Sequence, residues 1–165
     1  MNMKKILIIR SVSLQQLDKN LPHIYKAFPN SEFYILTHSH NIKNCKKYKG
    51  IKEILDYQKR GNFSPFVINN ELKKKDFENV IYVVSNIRGN GFLNVSLLAL
   101  RLSSNSIFSC NLNSKIEKIS KTKIILKLLK SIIVTPLSIL LTIPVIPIIF
   151  LTLVFIRIKS NKANS

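Results

Sequence analysis

The 165-residue sequence predicts an α/β fold followed by a segment suited to a membrane. Three observations carry that expectation. Along residues 1–114, short β-branched runs alternate with stretches of helical period, the pattern of a parallel sheet whose strands are joined by helical crossovers. Residues 132–156, IIVTPLSILLTIPVIPIIFLTLVFI, are 25 positions without a charge. Cations crowd both flanks of that run: Lys115, Lys118, Lys121, Lys123, Lys127 and Lys130 before it, Arg157, Lys159 and Lys162 after it.

The first element is KKILIIR, Lys4–Arg10, an apolar run bounded by charges that reads as a strand buried on both faces. A turn at Ser11-Val12-Ser13 follows, with Ser13 as N-cap and Gln16 three residues on, the spacing of a capping box. Leu14, Leu17, Leu21, Ile24 and Phe28 then recur every three or four residues and make one apolar helix stripe, inside which Pro22 predicts a kink or a split. Glu32–Thr37 is the second strand, 38–50 a polar stretch with a weak helical segment, 51–57 a third and shorter strand, and 61–65 a loop. Residues 67–76 read as a lysine-rich helix and Asn79–Ser85 as the next strong strand. Arg88-Gly89-Asn90-Gly91 turns the chain into 92–102, where Leu93, Leu97, Leu98 and Leu100 give a helical face. Ser106–Cys110 is a last, weaker strand. Strands and helices in strict alternation make 1–114 a small Rossmann-like domain with right-handed crossovers. Ligands of such sheets bind beyond the carboxyl ends of the strands, here Arg10–Ser13, Thr37–His40 and Ser85–Gly91.

Beyond that domain the sequence predicts a basic juxtamembrane helix at 115–131, the membrane segment at 132–156 and a basic tail at 157–165. As a helix, the apolar run is about 37 Å long against a hydrocarbon core of about 30 Å. Pro136, Pro144 and Pro147 interrupt it, so a kinked transmembrane span and a bent re-entrant segment both fit. The formal charge of +18 divides into +10 over 1–114 and +8 over 115–165. Concentrated beside the apolar run, the second group suits anionic lipid headgroups, with Lys118, Lys121, Lys123, Lys127, Lys130, Arg157 and Lys159 as the contacts. No nucleic-acid recognition motif accompanies the charge, so nucleic acid is not an expected partner. The lysine bias ahead of the run places the globular domain on the cytosolic side of an inner membrane. Ile6–Ile9 is too short for a signal-peptide core, and Cys45 and Cys110 lie too far apart for a metal or disulfide framework, which agrees with a reducing compartment.

The strand ends offer binding chemistry rather than an evident catalyst. Ser11 and Ser13 sit where a helix N-terminus favours an anion or a hydroxyl. Arg88 and Asn90 belong to a glycine-bearing loop that misses the G-x-G-x-x-G pattern, because Asn94 stands at the third glycine. His38 and His40 have no further ligand at a matching interval, and no nucleophile elbow surrounds a serine, so neither a metal nor any other cofactor is expected.

In order and spacing, Ile6–Arg10, Ser11–Ser13, Leu21-Pro22, Ala27-Phe28-Pro29, Glu32–Thr37, Ile51–Tyr57 and Asp76–Ile81 resemble the N-terminal half of GT-B glycosyltransferases of the lipopolysaccharide heptosyltransferase type (glycosyltransferase family 9). That family opens on a strand ending in Arg, a serine-rich turn, a helix with Leu/Thr-Pro, and Arg-Phe-Pro before the second strand. The resemblance implies an acceptor-side domain in cell-envelope polysaccharide or lipopolysaccharide synthesis, with Ser11, Ser13, Gln16, Arg88 and Asn90 as acceptor-binding candidates. Two departures shape it. The family has Gly-Asp after the turn, its Asp a candidate base, where this chain has Gln15-Gln16, and an amide takes no proton at neutral pH. The family's donor-binding half is replaced by the apolar segment. A separate donor-domain protein and a lipid-linked glycan acceptor are the partners this implies, and a non-catalytic adaptor or truncated relic is the alternative.

Overall fold

The computed structural model describes residues 3–66, 68, 72, 74–134, 150 and 153, and the chain divides into two compact units, 1–125 and 126–165. In the first unit the elements run β1 (Lys4–Ile9), α1 (Leu14–Ala27), β2 (Ser31–Thr37), a 3₁₀ turn (Ser39–Asn41), α2 (Ile42–Cys45), β3 (Ile51–Asp56), β4 (Phe77–Val83), α3 (Leu93–Leu102), β5 (Ser103–Cys110) and β6 (Ile116–Ile119). They build a six-stranded sheet in the order β3-β2-β1-β4-β5-β6. The pairings from β3 through β5 are parallel, and β6 closes the edge antiparallel to β5. The expected α/β sheet is therefore present, six-stranded and mostly parallel, and its strand order reverses between β1 and β4.

Period-two alternation divides the core between the two faces of the sheet. Ile6 and Ile8 of β1, with Phe33, Ile35, Ile81 and Val83, meet Leu17, Leu21 and Ile24 of α1 and Cys45 of α2. Leu7 and Ile9, with Tyr34, Leu36, Val80 and Tyr82, meet Val95, Leu98, Ala99 and Leu102 of α3. Burial of each such aliphatic side chain is worth about 1.5–3 kcal/mol, which explains why Ile6–Ile9, Phe33–Leu36 and Val80–Val83 are hydrophobic without interruption. The stripe predicted for α1 is the one buried. Pro22 lies on its exposed side, and α1 runs through it as one helix.

Three differences from the sequence expectation stand out. The stretch 115–131 is not one basic helix. Residues 116–119 form β6, pairing Ile107 with Ile119 and Cys110 with Ile116, and helix begins at 121. Ile124 is buried in the core, so the globular unit extends past 114. β5 starts at Ser103, directly after α3, rather than at Ser106. Of the helix expected over 67–76, Leu72 and Lys74 are helical, Asp76 is not, and 67, 69–71 and 73 lie outside the described residues. Among the described residues no helix is long and apolar enough to cross a membrane. Of the 132–156 run, only Ile132, Ile133, Val134, Phe150 and Leu153 are described, so the transmembrane and re-entrant expectations fall outside them, as do Arg157 and Lys159.

Candidate functional site

At the carboxyl ends of the parallel strands, next to the β1–β4 reversal, lies a cleft of about 440 Å³. Its walls come from four places: Arg10, Ser11 and Val12 after β1, His38 after β2, Gly61 to Phe63 after β3, and Gly91 to Val95 at the start of α3. A crevice at this position follows from topology. Where strand order reverses, the chain leaves neighbouring strands toward opposite faces and the loops part.

Arg10 is the residue around which the cleft is built. Its backbone N–H donates to the Leu36 carbonyl and continues the sheet. Its Nε donates to Thr37 Oγ1 at 2.8 Å and its Nη1 to the Val12 carbonyl at 2.7 Å. The side chain is thereby held across the ends of β1 and β2, with the residue only 8 % exposed. No described carboxylate lies within ion-pair distance of it. A guanidinium carries five N–H donors, so three remain without a protein acceptor among the described residues.

The other walls mix polar groups with Val12, Phe63, Phe92 and Val95 and carry no charge at neutral pH. The Ser11 hydroxyl donates to the Val83 carbonyl and ties β1 to β4. His38 packs against Phe63 and Tyr57, with ring centroids 4.5 and 5.3 Å away, and against His40 at 5.8 Å. Its Nε2 lies 2.7 Å from the Gly61 carbonyl, so Nε2 carries the proton of the neutral ring and Nδ1 keeps the lone pair. Burial lowers its pKa below the usual 6.5, with Arg10 and His40 acting in the same direction against the Gly61 bond and Asp56. Gly61, at φ +86°, is in the left-handed region and presents that carbonyl without strain. Asn94 Nδ2 donates to the Phe63 carbonyl at 2.7 Å and fixes the β3-side loop against α3. α3 opens on Phe92 with no side-chain cap and no acid in its first turn.

Of the five acceptor-binding candidates, Ser11 alone lines the cleft. Ser13 caps α1, accepting from the Gln16 backbone N–H at 3.2 Å. The return bond of a capping box is not made. Instead the Gln16 amide donates to Asn20 Oδ1 at 2.8 Å and to the Leu112 carbonyl at 3.1 Å. Fully buried Asn20 continues that network, donating to the Asn111 carbonyl and accepting from the Ser114 hydroxyl. Gln16 thus ties α1 to the β5–β6 turn. Arg88 and Asn90 are exposed on the loop after β4, where the Asn90 carbonyl accepts from Asn86 Nδ2 at 2.8 Å. The sequence marked the strand ends at Arg10 and His38 but offered no signal for the burial of Arg10 or for the approach of Asn94, which depend on how the crossovers meet.

Cys45 and Cys110 are buried free thiols, Cys110 pushed up by burial to about 11, so both are inert as nucleophiles. Among the described residues, no group of three or more His, Cys, Asp or Glu comes together as a ligand set. Comparisons with protein-family models, curated proteins and solved structures find no match.

Proposed function

We propose that this chain is a membrane-anchored, glycosyltransferase-like protein, the acceptor-side half of a GT-B enzyme. It acts in cell-envelope polysaccharide or lipopolysaccharide synthesis and is completed by a separate donor-binding polypeptide. The observation that carries the proposal is the position of the cleft, at the carboxyl side of a 3-2-1-4-5-6 sheet with Arg10 and Ser11 at its floor. Loops that follow β3, β4 and β5 expose Phe66, Ile87 and Leu112, and also Arg60 and Arg88. Exposed apolar residues and cations on loops at one end of a sheet suit a docking face for a second domain.

The membrane part of the proposal rests on the 132–156 run and on the described helical residues before it. Leu126, Leu129, Ile132 and Ile133 are exposed at helical spacing, with Lys127 and Lys130 between them, the pattern of a helix that meets a lipid surface. With Lys118, Lys121 and Lys123 also exposed, the anionic inner leaflet of the cytoplasmic membrane is the expected contact, with the globular unit in the cytosol. Labelling a cysteine introduced as Ser165→Cys from either side of sealed vesicles distinguishes a single span from a re-entrant segment.

One observation favours a second reading, a non-catalytic adaptor. Among the described residues no carboxylate lines the cleft, and Gln16, which stands at the family's base position, is committed to Asn20 and Leu112. The two separate in one experiment. The full chain is purified with its co-purifying partners and assayed for glycosyl transfer from sugar nucleotides to envelope glycolipids. Transfer that needs both polypeptides supports the enzyme, whereas a complex that binds partners without transfer supports the adaptor.

A further inference from the structure

We infer that the cleft at the β1–β4 reversal is a phosphate site, built on Arg10 to receive the phosphate group of a nucleotide, a sugar phosphate or a lipid phosphate. Arg10 is the one buried cation among the described residues. A buried charge is costly unless paired, and a guanidinium cannot escape the cost by losing its proton. The described lysines show what this chain does with charges that need partners: Lys4, Lys47, Lys52, Lys75 and Lys115 each hold a carboxylate. Arg10 holds none, yet it is pinned by Thr37 and Val12 with three N–H groups to spare. A pinned, part-satisfied guanidinium is preorganised for an anion that none of the described residues supplies.

The rest of the wall specifies which anion. The first turn of α3 borders the same cleft through Gly91, Phe92, Asn94 and Val95. Its leading amides have no capping side chain and no acid competing for them. Two donor sets from different elements suit a tetrahedral group with oxygens pointing several ways, whereas a planar carboxylate is satisfied by the guanidinium fork alone. Gly91, at φ +83° and with open space where a Cβ would stand, keeps the backbone at that wall accessible. The inference deepens the acceptor-site proposal and rests on it only in placing the ligand in this cleft. It requires no transfer step.

The test uses the full chain in phosphatidylcholine nanodiscs, which carry no net headgroup charge, titrated with inorganic phosphate, uridine diphosphate and dihexanoyl phosphatidic acid. Saturable binding of at least one is expected, and the stronger of the last two identifies a soluble or a lipid source for the phosphate. Asn62 lines the cleft and is exposed, so Asn62→Glu supplies the absent carboxylate without disturbing the bonds that hold Arg10. That variant is expected to bind about tenfold or more weakly, the range of a charge-assisted contact, while unfolding no earlier than the parent without phosphate. No saturable binding of any of the three, or equal affinity in Asn62→Glu, overturns the assignment. Phosphate binding in a protein that transfers no sugar leaves this site standing and removes the enzyme; transfer without phosphate binding does the reverse.

Discussion

The two ends of the sheet hold hollows of similar size and opposite electrical character. At the amino end, about 490 Å³ is bordered by Lys5, Glu32, Lys52, Asp76 and Glu78. There Lys52 meets Glu32 at 2.6 Å, Lys4 meets Glu78 at 3.5 Å, and Lys75 meets Glu53 nearby, so two of the three bordering carboxylates hold a lysine. At the carboxyl end, a comparable hollow is bordered by one buried cation and, among the described residues, no carboxylate. Volume does not distinguish the two, but charge accounting does. A hollow that mixes cations with carboxylates has less to offer an anion than one whose buried guanidinium meets no described carboxylate.

The largest expected effect comes from within the carboxyl end itself. Asn20 is fully buried and bonded to Asn111, Ser114 and Gln16, so Asn20→Leu strands those groups and costs about 2–3 kcal/mol. A lower denaturant midpoint at unchanged slope is the readout. Phosphate affinity should stay at the parent value, because that cluster is neutral and outside the cleft; a loss would break the contrast by showing the whole end acts as one unit. Arg10→Met comes next. It leaves the Thr37 hydroxyl and the Val12 carbonyl without their donor but also removes an unpaired buried charge, and the opposed terms leave a net loss of about 1 kcal/mol. Phosphate should no longer raise its unfolding temperature. At the amino end, Glu78→Gln breaks an exposed pair and should change stability by less than about 1 kcal/mol, with phosphate binding intact.

The smallest effect is a pH dependence. The His38 pKa is lowered from 6.5 by burial, so the unfolded chain takes up the proton more readily than the folded one. Stability from this group is present above about pH 6.5 and is lost as pH falls toward the folded pKa. His38→Gln should flatten that part of the stability profile. A profile unchanged by the substitution would mean that the ring is already solvated like a surface histidine.

Most of the fold was legible in the residues, for a reason particular strands make plain. Ile6 to Ile9 and the run from Val80 to Val83 are hydrophobic at every position because both faces of a central parallel strand are covered, a demand that local sequence has to meet by itself. The α1 stripe was equally plain. β6 was not, because IEKI is four residues of an edge strand whose conformation is set by its partner Ile107–Cys110 and by a turn that Asn111 and Ser114 hold together. Lysine content drew those residues into a helix that starts only at 121. Of the candidate site, the sequence marked strand ends that border the cleft, and of its five side-chain candidates Ser11 lines that cleft while Ser13, Gln16, Arg88 and Asn90 do not.

By itself, then, the sequence determined the alternating α/β architecture, the faces of its central elements, the apolar run at 132–156 and the charge around it. These are properties of periodicity and composition, which short windows carry. Only the tertiary structure decided that Arg10 is buried with no described carboxylate beside it and that His38, Asn94 and the first turn of α3 share its cleft. Those residues are brought together by the reversal of strand order between β1 and β4, a contact between segments about 70 residues apart in the chain that no local pattern records.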